Sequence, residues 1–280
     1  MKNIIINNWK ITGFFDAESC FSFGVSKNKS YFEIKVTQRD YSMDALYKIQ
    51  EFFNVGTVCI DNRKTKGWKW HVTNRDDCLL VLEHFKKYPL KTSKYLDYVS
   101  FLQAIQTTDI HKIQQLAECK NISRPYADRL TWCLNSAKDI NEDWFIGFID
   151  SEACFNIDKS PLNGTFELKQ RTCERALLMS ISQYLAIGYL KPKQVGELHA
   201  FCLNNVKRTS TFKVSGQVQL FSVLIPLLDR HTLWSAKSHD YKVWKEIMVL
   251  KQANGHLTSA GKDKVLALIN NLNAKALYRK

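Results

Sequence analysis

The sequence predicts an α+β protein built as two pseudo-twofold related αββαββα units, and three recurrences carry that prediction. "ITGFFDAESCF" at 11–21 returns as "FIGFIDSEACF" at 145–155, with Gly, Asp, Glu, Cys and Phe in register. "VTQRDYSMDALYKIQEFFNVG" (36–56) lies without a gap over "LKQRTCERALLMSISQYLAIG" (168–188), setting Gln38, Arg39, Leu46, Ile49 and Gly56 on Gln170, Arg171, Leu178, Ile181 and Gly188. "PLKTSKYLDYVSF" (89–101) matches "TLWSAKSHDYKVW" (232–244), pairing Leu90, Lys94, Asp97 and Tyr98 with Leu233, Lys237, Asp240 and Tyr241. Three blocks in the same order mark a duplication rather than chance similarity.

Within each unit the hydrophobic period switches in the same way. Residues 9–18 place Ile11, Phe14, Phe15 and Glu18 at helical spacing, with Asn7 or Asn8 as N-cap and Asn141 in that part before the second copy. Alternation follows: Phe21, Phe23 and Val25 against Ser22, Gly24 and Ser26, then Phe32, Ile34 and Val36 against Glu33, Lys35, Thr37 and Arg39. That is a hairpin with one wet face. Residues 44–54 return to helix, with Gly56 as the stop. "TVCID" and "WKWHVT" form a second hairpin across "NRKTKG", with Trp68, Trp70 and Val72 on one face and Lys69, His71 and Thr73 on the other. Helical stretches over about 75–87 and 93–106 complete the unit. The second copy runs from 141 to about 250, and "GHLTSAGKDKVLALINNLN" reads as a terminal helix capped by Thr258 or Ser259. The expected division is a first unit at 1–116, a linker at 117–140 containing "SRPYADRL", and a second unit with its terminal helix at 141–280.

The 280 residues are 45% hydrophobic and 12% aromatic, enough to fill a core. Forty Lys and Arg against 27 Asp and Glu give +13, spread along the chain. This balance favours a polyanionic partner, nucleic acid before a membrane surface, with a merely soluble basic protein as the alternative. The eight cysteines (20, 59, 78, 119, 133, 154, 173, 202) form no C-x-x-C pair and no zinc spacing. They are expected to be reduced and mostly buried thiols of an intracellular protein. "MKNIIINNW" is too short an apolar run to span a membrane and lacks the Arg-rich character of an import sequence, so the protein is expected to act where it is made or to stay in the cytosol.

The chemistry concentrates in the doubled motif. Gly13-x-x-x-Ala17 and Gly147-x-x-x-Ser151 put small residues one turn apart on a helix face, so the two copies can pack backbone to backbone at a pseudo-twofold axis. Glu18 and Glu152 would then emerge together at helix C-termini, where the helix dipole and mutual repulsion both disfavour carboxylates. A hard divalent cation suits such an all-oxygen pair, and Mg²⁺ bridging carboxylates and phosphate is the natural candidate. Asp16 and Asp150, earlier on the same helices, are better placed to hydrogen-bond backbone than to hold metal.

"ITGFFDAES" and "FIGFIDSEA" resemble the two signature motifs of a single-chain, double-motif LAGLIDADG homing endonuclease of the intron-encoded type. The resemblance extends through the Gln ending the second strand, the "PL-x-T-x-K-x-x-DY" block and the "HLT-x-x-G" tail. It implies a saddle of two four-stranded antiparallel sheets straddling duplex DNA around the paired signature helices. It also implies Mg²⁺-dependent cleavage of both strands of a long, asymmetric site, leaving 3′ overhangs; Mn²⁺ would substitute and Ca²⁺ would support binding without cutting. By motif position, Glu18 and Glu152 become metal ligands, Gln38 and Gln170 order water beside them, and Lys94 and Lys237 stabilise developing phosphate charge, or else serve as phosphate anchors or surface charges. The signature's closing Gly is replaced by Ser19 and Ala153, so the exit from helix to strand must be made without glycine's freedom.

A two-stranded ribbon fits the major groove, which makes the outward strand positions the candidate readers. In the first unit these are Ser22, Ser26, Lys35, Thr37, Arg39, Lys69, His71 and Thr73, with Arg63, Lys64 and Lys66 at the hairpin tip. In the second they are Asn156, Asp158, Lys159, Glu167, Lys169, Arg171, Lys191, Lys193, Lys207, Arg208 and Lys213. About half of them are expected to touch DNA, the rest being solvated strand face. The two sets differ, so the target should not be a palindrome, while Trp68 and Trp70 belong under the sheet. The expected protein is a monomeric pseudo-dimer with double-stranded DNA and no membrane as partner, made in a mitochondrion or other organelle. A maturase that binds its host intron RNA by shape is the alternative on the same scaffold, and a non-cleaving regulator would not need both glutamates.

Overall fold

The computed structural model describes residues 7–120, 139–190 and 209–272. In the first half, α1 (Asn8–Glu18) leads into β1 (Ser19–Ser26) and β2 (Lys29–Arg39), then α2 (Met43–Phe53), β3 (Thr57–Asn62), β4 (Gly67–Val72), α3 (Arg75–Lys87), α4 (Lys94–Ile105) and α5 (Ile110–Glu118). The second half runs α6 (Glu142–Glu152), β5 (Ala153–Lys159), β6 (Leu162–Arg171), α7 (Arg175–Leu185), β7 (Tyr189–Leu190) and β8 (Thr209–Val214). A helical stretch over 217–229, α8, whose middle turn Leu220–Leu224 is π-helical, precedes α9 (Lys237–Gln252) and α10 (Ser259–Asn271). Each half holds one antiparallel four-stranded sheet, ordered β1-β2-β4-β3 and β5-β6-β8-β7. The repeated blocks thus fold into the same topology twice.

Registers explain why each sheet has a dry and a wet face. Phe21 stands opposite Ile34, which stands opposite Val72, and Val36 stands opposite Trp70. These fully or nearly fully buried side chains pack under the helices in one core, while Phe155, Phe166, Leu168, Phe212 and Val214 do the same in the other. Trp70 lies in the first core with no exposure, and Trp68 packs against it. The cores are not sealed from each other, because Trp234 of the second half belongs to the first core and Trp9 and Ala17 of the first pack against the second.

α1 and α6 sit between the cores and make the most extensive helix–helix contact among the described residues. Residues Lys10 to Asp16 and Trp144 to Asp150 are all buried, the pattern of a helix enclosed on every side. At the crossing an added Cβ on Gly13 would stand 2.0 Å from the Trp144 carbonyl oxygen, and one on Gly147 would stand 2.0 Å from that of Lys10. Only glycine allows this approach. The flanking contacts are not symmetric: the Trp144 indole donates to Asp16 at 2.7 Å, whereas Lys10, the residue matching Trp144, lies 3.9 Å from Asp150 and 4.1 Å above the Trp234 ring. Burial lowers the Lys10 ammonium to about 8.

Capping follows the sequence closely. Asn7 accepts from the Trp9 amide, Asn141 from that of Trp144, and Thr258 from that of Gly261. Several expectations need correction. The left-handed residue ending α2 is Asn54 (φ 54°), and Ala186 (φ 53°) ends α7; Gly56 and Gly188, also at positive φ, come two residues later. There a Cβ on Gly56 would meet the Trp70 indole nitrogen at 2.7 Å, so the glycine is needed by the sheet rather than the helix. α5 adds a helix beyond those expected for the first unit, capped by Asp109, which accepts from the His111 and Lys112 amides, and buried through Ile113 and Ala117. Ser19 (φ −75°, ψ 157°) and Ala153 (φ −66°, ψ 143°) leave the signature helices in extended backbone, so the missing signature glycine costs no strain; Ser19 even donates to the Phe15 carbonyl at 2.6 Å. The described cysteines are not mostly buried: of the six, Cys78 and Cys173 are buried, Cys20, Cys59 and Cys154 half-buried, and Cys119 exposed. The register explains part of this, since Cys20, Cys59 and Cys154 alternate onto the wet sheet faces. Most of the proposed linker lies outside the described residues, and no described helix is long and apolar enough to cross a membrane.

Candidate active site and nucleic-acid interface

Because α1 and α6 touch backbone to backbone and end on Glu18 and Glu152, the pairing delivers both acids to one place. Their electrostatics show the crowding. Burial is the main cause that raises the Glu18 carboxyl, opposed by Lys94, the Gln38 amide within hydrogen-bonding reach, and Lys237. Glu152 is pushed up to about 7, first by burial and then by the charge of Glu18, and is held down in turn by Lys94, Gln170 and Lys237. The six residues predicted for the site therefore converge from both halves.

The lysines enter from the starts of α4 and α9. The Lys94 ammonium donates to the Ala17 carbonyl at 2.6 Å and the Phe15 carbonyl at 3.3 Å, placing positive charge on the negative end of α1. Lys237, with Glu18, Gln38 and Ser151, lines a cavity of about 480 Å³ between the first sheet and the start of α9. Asp16 is not part of this cavity's lining, and Asp150, which is, has both carboxylate oxygens engaged by backbone amides. Asp16 accepts from the Lys91 and Thr92 amides, the Thr92 hydroxyl and the Trp144 indole, and Asp150 accepts from the amides of Trp234 and Ser235. They anchor the loops from which the two lysines project. Thr92 and Ser235 complete these anchors, and of the two only Thr92, in the "PL-x-T-x-K" block, carries a sequence signal beyond its place before a lysine.

No cluster of three His, Cys, Asp or Glu side chains stands ready as a metal cage among the described residues. The donor set still fits a hard divalent ion that keeps its waters and completes its shell with substrate phosphate. Two desolvated, mutually repelling carboxyls are the residues whose charged forms a cation would favour most. Beside Glu152, the buried Ser151 hydroxyl has no hydrogen-bond partner.

Strand register places Ser22, Lys35, Thr37, Arg39, Lys69 and His71 together on the wet face of the first sheet, with Ser26 and Thr73 at its margins and Arg63, Lys64 and Lys66 exposed at the hairpin tip. On the second sheet Asn156, Asp158, Glu167, Lys169, Arg171 and Lys213 share the corresponding face. Lys159 departs from the others: its register is that of the core-facing residues, and it is exposed only because it ends the strand. Lys191, Lys193, Lys207 and Arg208 lie outside the described residues. The wet faces also carry the acids that pair with these cations; the sequence marks Glu167 as a candidate reader and Glu33 as a wet-face residue, but neither as an ion-pair partner. Glu33 accepts from Lys69 at 2.7 Å and lies 3.0 Å from His71 Nδ1, Asp61 is 3.7 Å from Lys35, and Glu167 is 3.1 Å from Lys213. Only tertiary register reveals those partners.

Two matched halves, a shared helix seam ending in paired acids, and basic sheet faces on both sides define a single-chain pseudo-dimer. Residues 11–105 and 145–248 match the family model described as LAGLIDADG endonuclease, and the chain belongs to that family. It is 26% identical over 310 residues to "Probable intron-encoded endonuclease 2" of Neurospora crassa, covering 94% of this chain and 64% of that protein. It is 26% identical over 246 residues to "Probable intron-encoded endonuclease Cox1-I1b" of Schizosaccharomyces pombe, covering 84% and 62%. The chain thus spans less than two thirds of the length of these curated relatives. Among solved structures it resembles the LAGLIDADG homing endonuclease I-GzeII in complex with its DNA target, with a TM-score of 0.79 at 20% identity over 98% of this chain and 100% of that one. It also resembles I-SmaMI bound to uncleaved DNA target in the presence of calcium ions, with a TM-score of 0.79 at 19% identity over 95% and 99%. The shared fold is what these likenesses establish.

Proposed function

We propose that this chain is an intron-encoded homing endonuclease that makes a divalent-metal-dependent double-strand break in a long, asymmetric DNA target. The observation that carries this reading is the delivery of Glu18 and Glu152 by equivalent helices to one seam, where Glu18 raises the Glu152 carboxyl. Two buried carboxyls that repel each other at the junction of two basic sheets, only partly offset by Lys94 and Lys237, suit cation binding against a phosphodiester. Mg²⁺, with Mn²⁺ as substitute and Ca²⁺ as a non-cleaving one, would be held by Glu18 and Glu152, and when bound it supplies Lewis-acid activation of water and of the leaving oxygen. Gln38 and Gln170 orient water beside the two acids, one on each side of the seam. Lys94 and Lys237 hold positive charge where the phosphate becomes more negative. The wet faces of the sheets take the duplex on either side, Lys and Arg engaging phosphates while Ser, Thr, Asn and His face base edges. Because the two faces differ residue by residue, the two half-sites differ as well. The fungal, intron-encoded relatives favour synthesis and action in a mitochondrion, and two matched halves within one chain favour a monomer.

The test offers the purified chain a duplex spanning the uninterrupted insertion site of its gene. Cutting of both strands with Mg²⁺, binding without cutting with Ca²⁺, and loss of cutting in Glu18→Gln and Glu152→Gln with binding retained are the expected outcomes. Binding without cutting under every divalent cation would overturn the reading and leave a non-cleaving role, with host intron RNA as the next partner to assay.

A further inference from the structure

Each lysine-bearing helix starts from a loop that is held from two directions. One hold comes from the same half, through Asp16 for the loop before α4 and Asp150 for the loop before α9. The second comes from the opposite half. The Ser93 amide, one residue before Lys94, donates at 3.0 Å to Glu174 Oε1, in the turn Thr172–Glu174 that follows β6. In the reverse direction the Ala236 amide, one residue before Lys237, donates at 3.1 Å to the hydroxyl of Ser42, in the turn Asp40–Ser42 that follows β2. Ser42 and Glu174 occupy the same place in the aligned blocks 36–56 and 168–188, as Ser93 and Ala236 do in 89–101 and 232–244. Both acceptors are buried, at 4% and 3% exposure. The same device therefore occurs twice, running in opposite directions across the seam, with a hydroxyl in one copy and a carboxylate in the other.

We propose that Glu174 is a positioning residue for Lys94 and Ser42 a positioning residue for Lys237, so that each half completes the lysine site of the other. The proposal rests on the nuclease reading for its consequence and on the two cross-half hydrogen bonds for its substance. Amides at the start of a helix have no partner within that helix, and satisfying one from outside fixes the first turn. Lys94 and Lys237 are each the first residue of that turn. Removing the acceptor loosens the backbone that aims the ammonium, and a misplacement of about 1 Å at a reacting centre can cost on the order of 100-fold in rate.

The test measures hydrogen exchange and single-turnover cutting of each strand in the full chain. Glu174→Ala is expected to speed exchange of the amides at the start of α4 by about 10-fold or more, leaving the start of α9 unchanged. Ser42→Ala is expected to do the reverse. In cutting, Glu174→Ala should reproduce the strand preference of Lys94→Ala at about 10-fold reduced rate with Ca²⁺-supported DNA binding unchanged, and Glu174→Gln, which keeps the acceptor, should restore it. Exchange that rises only within the mutated half, equally in both halves or not at all would overturn the proposal, as would a Glu174→Gln chain as impaired as Glu174→Ala. A wild-type chain that cuts no DNA defeats the nuclease reading alone, because the crossed exchange pattern still decides whether the opposite half sets each lysine loop.

Discussion

At the scale of single residues, the seam sets protonation against stability. The ordinary value for a Glu carboxyl is 4.5, and Glu152 in the folded chain is pushed up to about 7 by burial and by Glu18. Between those values the folded chain holds a proton that the unfolded chain has released. The sign follows: this group favours folding at pH below about 4.5, and that contribution is lost as pH rises through about 7. Metal-free Glu152→Gln should therefore be more stable than the wild type at pH 8 by ~1–3 kcal/mol and nearly equal to it at pH 4.5, as read from urea midpoints. A divalent cation should raise the wild-type midpoint at pH 8 and leave unmoved the chain that carries both Glu18→Gln and Glu152→Gln. An equal response of both chains would remove the acid pair from the metal site.

At the scale of elements, the helix seam is the least forgiving part of the fold. A Cβ on Gly13 has a backbone oxygen 2.0 Å away, and no rotamer can relieve that contact. Gly13→Ala should destabilise the chain by ~3 kcal/mol or more, measured by denaturant unfolding, whereas Gly67→Ala, whose nearest neighbour would be 3.3 Å away in the hairpin turn, should cost far less. A small effect at Gly13 would mean that the helices do not cross there. These elements were legible in the sequence because duplication doubles every signal: the small-residue spacing, the Asn caps, the alternation of Phe21, Phe23 and Phe32, and the paired acids each occur twice or in register. What remained illegible lies where one chain segment meets another far along the sequence. Glu33 reads as a wet-face residue and Asp61 carries no reading of its own until register sets them against Lys69 and Lys35, and Ser42 and Glu174 carry no pattern until the turns that hold them reach the opposite loops. Cap choice at Asn54 was hidden for a local reason, since the nearby Gly56 offered a stronger stop signal for a position the sheet requires.

At the scale of the molecule, the net charge of +13 overstates what the binding faces offer to DNA. Lys35, Lys69 and Lys213 are engaged by Asp61, Glu33 and Glu167, so part of the positive face is neutralised before any duplex arrives. This internal pairing restrains affinity for arbitrary sequences, because each free cation adds a salt-dependent, sequence-blind contribution. Asp61→Asn should strengthen binding to non-target DNA and steepen the dependence of log affinity on log salt by about one unit, with Ca²⁺ present. An unchanged slope would show that Lys35 does not reach the phosphates.

The glycine crossing has one more implication. Side chains can swing aside, but two carbonyl-lined backbones pressed together form a hard stop. The gap between the carboxylates is therefore fixed by the thickness of bare peptide, whichever sequence lies in the grooves. If each acid addresses one strand, the offset between the two nicks is a length marked on the protein itself, a ruler that the target can fit or fail to fit but cannot stretch.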